Sequence, residues 1–155
     1  MHLGRSRYSR FPNKYVAYDW PAFAVKFLPT DENIRVRDNI VEVLSHNRLA
    51  NEKLGWDSTA GWLAYLAKSN MLLVKRFAVS PDRTYGEMLG LTVSVFYYRD
   101  RLVELEPIGP LEELRQGESA AFTETWSLLD YDFPDAGTDV DLAELKATVK
   151  GLGTA

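Results

Sequence analysis

Two carboxylates lie two positions apart in the stretch RLVELEPIGPLEEL, residues 101–114. In a strand that spacing puts Glu104 and Glu106 on one face with Leu102, while Val103 and Leu105 point to the other. Such a face is either a solvated outer surface or the lining of a site. Lys75 and Arg76 are adjacent in MLLVKRFAV, so a strand sends them to opposite faces. One of the two must then face inward or into a cleft, where a cation needs a carboxylate partner. Glu104 and Glu106 are the natural candidates for it. Trp62, in AGWLAYL, shares its face with Ala64 and Leu66 and adds an aromatic surface suited to a ring-shaped ligand.

Other chemistries are thinly supplied. The only histidines are His2, near the N-terminus, and His46, in SHNRLANEK. A His-rich metal site is not expected, and only His46 could serve a Ser-His-Asp triad in the folded part. With no cysteine there are no thiolate ligands and no disulfides, a composition that fits a reducing compartment. No Walker loop, dinucleotide fingerprint or EF-hand pattern occurs, so neither a metal nor a cofactor is expected.

The composition is that of a globular domain: 155 residues, 46% hydrophobic and 26% charged, with net charge −4. Four Trp, eight Tyr and seven Phe favour strands and ligand platforms alike. Residues 1–12 carry Arg5, Arg7 and Arg10 without an acid and read as a flexible basic arm. The remainder is acidic and lacks a basic stripe, so no nucleic-acid partner is expected. No apolar run reaches the length of a membrane span and no signal-peptide core is evident. A cytoplasmic protein without a membrane partner is the expectation.

The elements that must position these residues are short strands joined by tight turns. NKYVAYDW and AFAVKFL flank Pro21, which breaks a continuous strand. NIRVRDNIVEVL reads as a hairpin about Asp38-Asn39, GWLAYLAKSNMLLVKRFAV as one about Ser69-Asn70, and LTVSVFYYRDRLVELE as one about Arg99-Asp100. GESAAFTETWSLLDY adds an alternating strand with Phe122, Glu124 and Trp126 on one face and Thr123, Thr125 and Ser127 on the other. A helix follows over about residues 139–150, with Asp141 and Glu144 as a capping box, Gly151 as the stop and Leu142, Leu145 and Val149 as its apolar stripe. The expected class is mostly β: an antiparallel β-sandwich over residues 13–155, one domain, with a C-terminal helix.

GWLAYL, NMLLVKRFAV and VELEPIGPLEELRQGESAAFTETWSL follow one another in an order that resembles the C-terminal part of the galactose mutarotase-like superfamily, above all its bacterial aldose-epimerase-related members. The likeness runs from about Asn33 to Tyr131 and is more specific for fold than for activity. It implies a large antiparallel sandwich whose concave face binds sugars. It places Glu106 where that family has its catalytic general base, a role that burial among aromatic rings would assist by raising the pKa. Glu104 would bind sugar hydroxyls or orient Lys75 or Arg76, and Trp62 would stack on the sugar.

The chain has about half the length of such a protein and lacks the family's catalytic histidines. The resemblance therefore implies a carbohydrate-binding, aldose-epimerase-like domain with little or no isomerase activity of its own. Self-association, or a partner chain, would supply the remaining strands. The alternative is a non-enzymatic interaction domain in which the same charged residues form a structural ion pair.

Overall fold

The computed structural model describes residues 16–19, 25–26, 34–44, 52–87, 90–98 and 102–153. They form a mostly β chain: three antiparallel sheets and one helix near the C-terminus. The basic arm, Pro21, His46 and the Arg99-Asp100 tip lie outside the described residues. Two compact units interleave along the chain. The first holds the described residues of Met1–Ala60 and Val79–Phe122; the second comprises Gly61–Ala78 and the described residues after Phe122.

In the first unit, β1 (Val16–Asp19), β2 (Val25–Lys26), β5 (Glu52–Trp56), β8 (Val93–Tyr98) and β9 (Leu102–Pro107) form a sheet of order β2-β1-β5-β8-β9. Its central strands carry the core. Leu54, Trp56, Val93, Val95 and Tyr97 are buried on one face, where their branched and aromatic side chains fill the core. β3 (Ile34–Arg37) and β4 (Ile40–Val43) form a separate hairpin. Asp38 and Asn39 both take positive φ, 49° and 59°, as a two-residue mirror-image turn requires. Arg35 and Arg37 converge on Glu42, at 2.9 and 2.6 Å.

In the second unit, β6 (Trp62–Ala67), β7 (Met71–Phe77) and β10 (Glu124–Asp130) form a sheet of order β10-β7-β6. The β6–β7 turn differs from the expected two-residue form. Ala67 pairs with Met71 around three residues, and only Asn70 is left-handed, at φ 61°. Asn70 also anchors the later chain, because its side-chain oxygen accepts from Phe133 N–H and its carbonyl from Tyr131 N–H. β10 begins at Glu124, so Phe122 does not share its face as expected; the Phe122 ring lies against Gly109 in the first unit.

The helix α1 spans Leu142–Gly151. Asp141 caps it as expected, accepting from the N–H groups of Ala143 and Glu144, and Leu142, Leu145 and Val149 are buried. Its stop is not Gly151. The helix runs through that residue to Leu152, and the left-handed position falls on Gly153, at φ 81°. Among the described residues no helix is long and apolar enough to cross a membrane.

Candidate functional site

The register of three strands assembles a polar row on the sheet face opposite the core. Gly55 of β5 pairs with Ser94 of β8, and Ser94 pairs with Glu106 of β9. Two residues along, Glu104 pairs with Phe96, and Lys53 stands two positions before Gly55 on β5. Glu104 and Glu106 therefore share a face, as their spacing predicts. The Lys53 side chain spans β8 diagonally, a gap of about 9–10 Å between alternate strands, to reach Glu106. Its Nζ lies 2.6 Å from each carboxylate oxygen. The fully buried Ser94 hydroxyl donates a further bond to Glu106 Oε2.

The two carboxyls titrate in opposite directions. Burial is the largest influence on Glu106 and raises its pKa, but the bonds from Lys53 and Ser94, the Lys53 charge and a bond from Glu104 together hold it below the usual carboxylate range. Burial also raises the pKa of Glu104, and the hydrogen bond to Glu106 and its negative charge add to that. Glu104 therefore holds its proton more readily than Glu106 does. The upward shift expected of Glu106 thus falls on its neighbour, because Lys53 and Ser94 stabilise the Glu106 anion.

Gly55 keeps this face thin on one side. A Cβ there would come within 2.3 Å of the Leu91 side chain, which is itself buried against the glycine. Glu106 keeps 27% of its side-chain surface and Lys53 keeps 14%, so the pair is reachable from solvent without being fully hydrated. Chemically, the row sets two carboxyl groups and an ammonium side by side over a buried serine hydroxyl, a set that can grip adjacent hydroxyl groups.

The remaining expected site residues lie on the three-stranded sheet and have other partners. Trp62 is half-buried on β6 opposite Arg76. Lys75 pairs with Glu124, at 3.3 Å, and lies over the Trp126 ring, 4.4 Å from its centroid. Arg76 is the inward-facing cation, only 9% exposed, but carbonyls rather than a carboxylate receive it. Its Nη1 donates to Leu152 O at 2.6 Å and also to Gly153 O. Glu104 or Glu106 is the partner expected for one of these cations; Glu124 stands beside Lys75, and the two carbonyls receive Arg76. The cation at Glu106 is Lys53, which the sequence reading passed over together with Ser94. The available signal was Leu54 and Trp56, two apolar residues at strand spacing on either side of Gly55.

Among the described residues no cluster of three or more His, Cys, Asp or Glu is placed to hold a metal ion. Nothing among protein families, curated proteins or solved structures matches the chain.

Proposed function

We propose that the protein binds a sugar or similar polyol at the Glu104–Glu106 face, within a cytoplasmic domain related to the galactose mutarotase-like proteins. The observation that carries this reading is the geometry of the row: Glu104 and Glu106 share one face, and Glu106 is held by Lys53 and the buried Ser94 hydroxyl while keeping 27% of its side-chain surface. Neighbouring sugar hydroxyls need donors and acceptors placed side by side, and this row supplies both. In an epimerase-like step Glu104, whose pKa is raised, would be the readier proton donor and Glu106 the orienting anion. A lone pair of this kind without histidines gives slow exchange at best.

The test is saturation-transfer NMR from the protein to a panel of aldohexoses, with exchange between α and β anomers read in the same spectra. Binding that disappears in Glu104→Gln and Glu106→Gln, with both variants still folded, supports the reading. Absence of binding to every sugar overturns it.

A second reading, a non-enzymatic structural or assembly domain, is favoured by the double contact of Lys53 with Glu106 and by the sheet order, in which β9 stands last among the described residues. Such an edge can accept a strand from a second copy or a partner chain. Under that reading Glu106→Gln lowers stability and abolishes no ligand binding.

A further inference from the structure

We propose that Trp126 is a stacking platform for one pyranose ring of a neutral oligosaccharide, formed by the three-stranded sheet alone. Trp126 and Leu128 project from the same face of β10 and are 62% and 64% exposed, although a large apolar side chain is normally covered. The register sets Lys75 beside Trp126, and Leu73 then Tyr65 beside Leu128.

An exposed tryptophan ordinarily samples several rotamers, and this one is held. Its indole Nε1–H donates to Glu124 Oε2 at 2.7 Å, Lys75 Nζ lies 4.4 Å from the ring centroid, and Lys75 meets the same Glu124 oxygen at 3.3 Å. A ring fixed before binding loses little conformational freedom when a ligand stacks on it. Lys75 occupies one face of the indole, so the exposure belongs to the other face and the ring edge.

The chemistry around the ring selects the occupant. Lys75 and Glu124 cancel in charge, which removes any preference for an ionic ligand. The π face is electron-rich and attracts the weakly positive C–H groups of a sugar ring. Glu124 Oε2 receives both Trp126 and Lys75, leaving Oε1 to accept a ligand hydroxyl beside the ring. A protein partner fits less well. Trp126, Leu128 and Tyr65 together expose on the order of 300–400 Å², against roughly 800 Å² per partner in a stable interface.

The ligand class rests on the carbohydrate reading given above, but the site does not. The experiment titrates the ¹⁵N-labelled protein with maltotriose, cellotriose and chitotriose. It follows the Trp126 indole resonance, assigned by its absence in Trp126→Phe. The expected result is a saturable shift of that resonance with at least one trisaccharide. Trp126→Ala should weaken the binding by about tenfold or more and Glu124→Gln by about threefold. The melting temperature of Trp126→Ala should stay within about 2 °C, because the side chain is largely exposed. An indole resonance unmoved by all three sugars overturns the proposal, as does self-association that depends on Trp126. Binding lost in Glu104→Gln but kept in Trp126→Ala overturns this site alone. The reverse pattern overturns the Glu104–Glu106 reading alone.

Discussion

Lys53 and Glu106 are joined across an intervening strand, the ammonium 2.6 Å from both carboxylate oxygens, although 53 positions separate them in the chain. The pair ties β5 to β9 on the polar face while Leu54 and Val95 tie β5 to β8 in the core. Removing one partner strands the other in a half-dry setting. Glu106→Gln and Lys53→Met should each cost about 2 kcal/mol, and the double variant less than their sum. Urea denaturation of the four proteins measures this directly.

Acid should reveal the same pair. The folded-state pKa of Glu106 is depressed, so its contribution is complete above the ordinary carboxylate range and is lost as pH falls through the folded value. Stability should therefore decline below about pH 4, and that part of the decline should vanish in Glu106→Gln. Glu104 carries the opposite sign. Its folded-state pKa is raised, so its contribution is present below the ordinary range and is lost as pH rises through the folded value. Glu104→Gln should then be no less stable than the native protein at pH 7. Melting curves from pH 3 to pH 8 separate the two.

Arg76 should matter through the helix it holds. The guanidinium satisfies carbonyls just past the end of α1, where the helix dipole leaves partial negative charge. Arg76→Met keeps most of the buried stem and removes the donors, at a cost of about 2–3 kcal/mol. Amide hydrogen exchange should show Val149 and Lys150 losing protection more than β6 does. Equal loss across the unit would mean that Arg76 supports the sheet instead.

Gly55 is a packing constraint rather than a turn. Gly55→Ala should cost about 1–3 kcal/mol because the new methyl meets Leu91 at 2.3 Å. Pairing it with Leu91→Ala should recover part of the loss in thermal melts. The collision is then the cause, not strand propensity.

Asn70 distinguishes backbone from side chain. Glycine also accepts φ 61°, so Asn70→Gly loses only the bond to Phe133 N–H, about 1 kcal/mol. Asn70→Ala adds left-handed strain and should cost about 2 kcal/mol. Chemical denaturation of both variants gives the comparison.

What the sequence makes legible here is local. Asp38-Asn39 announces its hairpin because both residues tolerate positive φ, and Asp141 announces its helix because a cap acts within three positions. The shared face of Glu104 and Glu106 follows from the pleat alone. Their partner is not legible, because which strand lies beyond β8 depends on contacts far apart in the chain. β5 is obscured further by Gly55, a poor strand former retained for the approach of Leu91. The same holds for Arg76: spacing shows that one of two adjacent cations turns inward, but nothing local reveals that carbonyls after residue 151 receive it. The helix continues through Gly151 to the left-handed Gly153, beside the carbonyls that receive Arg76.

The interleaving of the two units has a consequence for synthesis on the ribosome. β6 and β7 emerge early, yet β10, the neighbour of β7, follows only after residues 79–122 have been made, and the carbonyls that receive Arg76 come later still. The last residue of the first unit is Phe122, whereas the second leaves β7 without β10 and Arg76 without its carbonyls until translation has passed residue 153. Between those moments the nascent hairpin presents an unpaired strand edge, the kind of surface that chaperones cover.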